Sequence, residues 1–194
     1  MSFLVLLGII AVVAFYAISI YNGLVTSRNG YKNAFAQIDV QLTRRYDLIP
    51  NLVETVKGYA KHEQDTLTAV IEARAKATSI QVTPETLNNP EAFAKFQAAQ
   101  GELSSALSRL MVTVERYPDL KANTNFQQLQ TELSSTEDRI AYARQYYNDN
   151  VRAYNTKIQS FPSVVVANMF KFEERQYFQA DDQSRGNVAV DFGA

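Results

Sequence analysis

RRYDLIPNLVETVKGYAKHE, residues 44–63, places Tyr46, Ile49, Val53, Val56 and Ala60 at steps of three and four among polar neighbours. That is the stripe of an amphipathic helix with one face buried against other helices. Pro50 lies inside it, and a mid-helix proline removes one backbone hydrogen bond and crowds the preceding turn, at about 3 kcal/mol. The heptad positions of Leu42, Ile49 and Val56 run through Pro50 without a shift. The spacing therefore predicts a kinked, continuous helix rather than a loop.

Outward from this stretch the stripe extends from Leu42 through Leu67 and Val70 to about Ala77. It stops in SIQVTPETLNNP, residues 79–90, where two prolines and two asparagines mark a connection. Asn89 followed by Pro90 reads as an N-cap with proline at the first helical position, where its missing N–H is harmless. The second stripe is Phe93, Phe96, Leu103, Leu107, Leu110, Val114 and Tyr117, closed by Pro118. A third runs from about Thr124 through Phe126, Leu129, Leu133, Ile140, Tyr147, Val151, Tyr154 and Ile158 until Pro162. It predicts a helix near 35 residues, about 50 Å long at ~1.5 Å per residue.

Three long amphipathic helices with short connections bury their stripes as an antiparallel bundle. The tail adds a short fourth helix around residues 164–170. An extended arm follows, with Phe172, Tyr177, Phe178 and Phe192 set among charges; it is expected to cover an end or side of the bundle, the alternative for this tail being membrane contact or a partner's groove.

Upstream, residues 1–25 read MSFLVLLGIIAVVAFYAISIYNGLV and contain no ionisable side chain apart from tyrosine. A hydrocarbon core of ~30 Å needs about 20 residues of helix, and this run supplies them. Tyr16 and Tyr21 lie toward its end, at the depth amphipathic rings prefer, with Arg28 and Lys32 just beyond. A basic n-region, short apolar core and small-residue cleavage site, the marks of a removed signal, are not evident. The organisation expected is an anchor at 1–27, a bundle at 28–170 and an arm at 171–194, the anchor and first bundle helix forming one rod. Lysine and arginine follow the span and none precedes it, which places the bundle on the cytoplasmic side and the N-terminus outside.

Composition narrows the function classes. A formal net charge of −1 over 194 residues disfavours a broadly basic nucleic-acid surface. With no cysteine there is no disulfide, thiolate metal site or cysteine nucleophile.

The string YNGLVTSRNGYKNAFAQIDVQLTRRYDLIPNLVETVKGYAKHE, residues 21–63, resembles the signature of the bacterial LemA family. EARAKA at 72–77, ERYPDLKAN at 115–123, the Ala-Arg-x-x-Tyr-Asn element at 143–148 and SFPSVVVANMF at 160–170 agree with it. The resemblance implies an N-terminal membrane helix, a cytoplasmic helical bundle and no established enzyme activity. One branch of the family resembles a factor in bacterial inner-membrane remodelling, in magnetosome formation.

Chemistry is sparse. His62-Glu63 does not extend to HExxH, because Thr66 stands where the second imidazole is needed and the chain has one histidine. A di-iron site in a bundle needs two Glu-x-x-His elements and fails for the same reason. Glu63, on a stripe position, is expected to pair with Arg74, and Gly58 to serve close helix packing. No catalytic, cofactor or metal residues are assigned. Arg44 and Arg45 are expected to form an exposed basic face or an ion pair with Asp47, the alternative being contact with anionic lipid. Together with Asn51 and Lys57 they make the candidate interaction surface. Ser19, Gly23 and Ser27 form a small-residue ladder suited to close approach of membrane helices. The expected function is a non-enzymatic membrane scaffold of the bacterial inner membrane, assembling with itself or with other membrane proteins. The alternative is a membrane-linked sensor with a small ligand or metal in its bundle.

Overall fold

A computed structural model describes residues 2–80, 83 and 87–179. The chain is all-α, with no strand among the described residues. In chain order the helices are α1 (Ser2–Tyr59), α2 (Gln64–Ser79), α3 (Pro90–Val114), α4 (Pro118–Lys121), α5 (Thr124–Gln159) and α6 (Ser163–Met169). Phe192, expected in the arm, lies outside the described residues.

α1 is a single helix of 58 residues that passes through Pro50 unbroken. At ~1.5 Å per residue it is about 87 Å long. Its first part is bare: the large apolar side chains from Phe3 to Ile18 are exposed. It is the one helix among those described that is long and apolar enough to cross a membrane. Packing begins earlier than the expected boundary at residue 28, with Ala17, Ile20 and Tyr21 against the core and Leu24 fully buried.

The first bundle helix does not run on to Ala77. After Tyr59 the chain turns through residues 60–63, with Glu63 N–H donating to the Ala60 carbonyl at 3.1 Å, and α2 folds back along α1. Arg74 then reaches the carbonyl of Tyr46 at 2.8 Å, two residues that one straight helix would hold about 42 Å apart. Spacing of threes and fours is the same before and after a reversal, and the turn carries neither glycine nor proline to announce it.

The caps behave as their residues dictate. Asn89 Oδ1 accepts from the N–H groups of Glu91 and Ala92 at 2.9 and 3.1 Å. Asn123 Oδ1 accepts from Phe126 N–H at 3.0 Å and starts α5. These bonds occupy donors that a helix start otherwise leaves orphaned.

Side-chain pairings give the directions. α3 runs parallel to α1, since Phe35 meets Phe93 and Arg45 meets Ser104. α5 runs antiparallel, pairing Arg44 with Glu132 and Gly23 with Lys157. The core falls into two apolar clusters along the bundle. The distal one, from Ile49 outward, joins α1, α2, α3 and the start of α5. The proximal one, from Leu24 to Leu42, joins α1, the start of α3, the end of α5, α6 and Phe178 of the arm.

Candidate interaction surface

Between the two apolar clusters lies a polar layer. Arg45 is fully buried at 0% exposure, so it is a core residue and not part of an exposed basic face. Its guanidinium donates from Nη1 to Ser104 at 3.1 Å and to Glu137 at 3.0 Å, and from Nη2 to the side-chain oxygen of Gln100. Gln100, also fully buried, donates in turn to the Tyr46 hydroxyl. Burial raises the Tyr46 pKa above its ordinary value, opposed by the Gln100 hydrogen bond and by Arg45. A buried charge is costly unless its donors find acceptors, and here two helices supply them, α3 through Ser104 and Gln100 and α5 through Glu137, leaving only Nε without a partner.

The other candidate residues divide. Arg44 is exposed but turns to Glu132 on α5 at 2.6 Å, not to Asp47. Two helical turns on, Asn51 joins Arg44, Leu48, Leu129 and Glu132 around an open groove of about 450 Å³ between α1 and α5. Asp47 is exposed, and Lys57 is exposed beside Glu54 at 3.7 Å. The structure thus brings Arg44 and Asn51 to one groove and places Asp47 and Lys57 outside it.

Two further expectations change. Glu63 pairs with Arg116 at 2.9 Å and accepts from the Tyr117 hydroxyl at 3.0 Å, while Arg74 is engaged by a backbone carbonyl. That hydrogen bond to the Glu63 carboxylate raises the pKa of Tyr117. Gly58 serves no close approach, because nothing lies within 4 Å of where its Cβ would be.

In the small-residue ladder Ser19 is exposed, whereas Gly23 and Ser27 face α5. Lys157 Nζ donates to the Gly23 carbonyl at 2.8 Å and to Ser27 Oγ at 3.3 Å. A Cβ on Gly23 would stand 2.9 Å from that ammonium. Gly23 and Ser27 are therefore committed within the chain and do not form a free face for a second anchor.

The arm is held by two asparagines that flank the α5 stripe and by two tyrosines within it. Asn155 grips Arg175 on both sides, donating to its carbonyl at 3.0 Å and accepting from its N–H at 2.9 Å. Asn148 grips Phe178 in the same way, at 3.0 and 2.8 Å. Each side-chain amide thus takes the place of a neighbouring backbone amide for an extended segment. Beside them the hydroxyls of Tyr154 and Tyr147 donate to the carbonyls of Glu173 and Gln176 at 3.0 and 3.2 Å. Phe178 closes the groove among Phe35, Phe93, Phe96 and Tyr147, with ring centroids 5.0–6.2 Å apart. The signal was present as two Tyr-Asn pairs, 147–148 and 154–155, one heptad apart on α5.

Among the described residues no group of three or more histidine, aspartate and glutamate side chains could hold a metal ion. The family model described as the LemA family matches residues 34–192. The chain belongs to the LemA family. The matched region takes in the polar layer, the Arg44–Asn51 groove and both asparagine clamps. Comparison of this LemA-family chain with curated proteins finds no match.

Proposed function

We propose that this LemA-family chain is a non-enzymatic scaffold of the bacterial inner membrane. Residues 2–21 would form its single span, with the N-terminus outside and the bundle cytoplasmic. It would assemble with itself or with other membrane proteins. The observation that supports this reading is the unbroken course of α1, bare and apolar to Ile18 and then part of the packed core from Leu24. A helix with no break between span and bundle transmits position and orientation rigidly. Arg28, Lys32 and Arg44, on the bundle side of the span, support the cytoplasmic assignment.

The partner face we assign is the α1–α5 groove of Arg44 and Asn51, which joins charge, amide and the apolar edges of Leu48 and Leu129. Affinity capture of the full-length chain from native membranes, with its size measured in mild detergent, tests the scaffold. A discrete assembly or a reproducible partner is expected. A monomer that captures nothing overturns it. Arg44→Glu should then weaken the assembly without loss of helicity, and an unchanged assembly removes the groove.

The sensor reading draws on a second groove of about 480 Å³, lined by Gln37, Gln41, Asp138, Arg139 and Tyr142 among others. There the buried side-chain oxygen of Gln41 has no hydrogen-bond partner. Native mass spectrometry of the purified chain distinguishes the two, since a bound small molecule would add mass.

A further inference from the structure

The turn after α5 and the helix that follows it carry bare apolar side chains. Phe161 is 84% exposed, Val165 54%, Met169 70% and Phe170 55%. Val165 and Met169, four apart, lie along one side of α6, and Phe161 stands in the turn before it. The opposite side of α6 is committed: Val166 and Ala167 are buried in the proximal core. A short helix that carries apolar side chains on its bare side as well as on its buried side leaves a face that water disfavours, and that face adds to the bare surface of the α1 span.

Its height along α1 is set by two contacts. Lys157 meets Gly23, and the Phe170 ring lies 4.8 Å from that of Tyr21. α5 descends antiparallel to α1, so Phe161, four residues past Lys157, falls about one turn nearer the N-terminus than Gly23. This is the level of the last residues of the bare span. The section of α1 from Ser2 to Ile18 is itself only about 26 Å long at ~1.5 Å per residue. A hydrocarbon core of ~30 Å needs about 20 residues. A span of that length counted from Ser2 takes in Tyr21, and the bare face of α6 lies at that level.

We infer that α6 and the preceding turn form an interfacial lipid seat: Phe161, Val165, Met169 and Phe170 enter the boundary between headgroups and acyl chains on the bundle side of the membrane. The inference rests on the reading of α1 as a membrane span. Interfacial helices of this kind bind by apolar area pressed a few ångströms into the boundary. A second contact beside the span fixes the rotation and tilt of the bundle, which a single helix leaves free.

The chain has no cysteine, so single cysteines report cleanly. An environment-sensitive fluorophore is placed at Val165, at Met169, at Val12 within the span and at Val112, exposed in α3. Each full-length variant is reconstituted in phosphatidylcholine–phosphatidylglycerol vesicles containing lipids brominated near the headgroup or deep in the chain. Retained helicity is checked by circular dichroism. We expect several-fold quenching at 165 and 169 by the shallow bromines, at 12 by the deep ones, and none at 112. If 165 and 169 behave like 112 while 12 is quenched, the lipid seat is wrong and the span stands. If 12 is also unquenched, the span fails and the seat with it.

Discussion

Arg74 Nε donates at 2.8 Å to the carbonyl of Tyr46, the oxygen whose helical donor would be the N–H that Pro50 lacks. A helix with an internal proline leaves one carbonyl four residues back without a partner, and α2 supplies that partner by folding back along α1. Pro50 and the α1–α2 hairpin are thus coupled: the residue that damages the helix creates the acceptor that holds the hairpin.

Arg74→Met should therefore cost about 1–3 kcal/mol in chemical denaturation, the cost of a half-buried carbonyl left unpaired. In a Pro50→Ala background residue 50 regains its N–H, the Tyr46 carbonyl is satisfied within α1, and the same Arg74→Met change should cost markedly less. Equal costs in the two backgrounds would show that Arg74 acts by packing alone.

The Arg45–Glu137 pair is asymmetric, with side-chain exposures of 0% and 37%. Removing Arg45 frees Glu137 to turn to water. Removing Glu137 strands a buried guanidinium with only neutral acceptors. Loss of a partner from a buried charge is worth ~3–5 kcal/mol, so Glu137→Ala should destabilise the bundle more than Arg45→Met does. Urea midpoints of the two variants decide it, and the reverse order would place the charge balance elsewhere. Arg45→Met should also leave assembly unchanged, because Arg45 is not on the surface.

How much of this was legible follows from what spacing encodes. Stripes and Asn-Pro punctuation located α3, α5 and α6 because burial periodicity and capping chemistry are local. The hairpin at residues 60–63 was not legible, since Leu67 and Val70 keep the register of Val53 and Val56 whether the chain continues or reverses. Arg45 was misassigned by residue type: it stands three after Leu42 and four before Ile49, a core position by spacing. Gln100 between Phe96 and Leu103, and Glu137 between Leu133 and Ile140, stand likewise in the gaps of their stripes. Three polar residues in core positions on three helices are a matched layer, visible only once the helices are aligned. The donor to the Tyr46 carbonyl was hidden for the same reason, as Arg74 comes near only through the reversal.

Asn148 and Asn155 bear the arm's backbone, and Phe178 fills its aromatic pocket. Asn148→Ala with Asn155→Ala should release residues 172–179 while leaving the α1–α5 core in place. Tryptic cleavage after Arg175, which is half-buried and bonded to the Tyr31 hydroxyl at 3.0 Å, should accelerate. Phe178→Ala should do the same by removing a side chain whose burial is worth about 1.5–3 kcal/mol. Unaltered cleavage in both variants would show that the arm is held from elsewhere.

The arm should also respond to alkali through the tyrosines that hold it. Burial pushes the Tyr154 hydroxyl from its ordinary 10 up to about 12, helped by Tyr31 and opposed by Arg175. Burial drives Tyr147 up further still. A folded pKa above the unfolded one means that the stabilisation is complete below pH 10 and is lost as pH rises through about 12. A phenolate has no proton to give the carbonyls of Glu173 and Gln176, and the arm should loosen in that window. A spin label on a cysteine at exposed Gln176 should become mobile as pH climbs past 10. The paired variant Tyr147→Phe, Tyr154→Phe has nothing to ionise at these positions and should show a weaker arm at neutral pH but a much smaller alkaline step. An alkaline step of full size in that variant would assign the release to groups other than these two tyrosines.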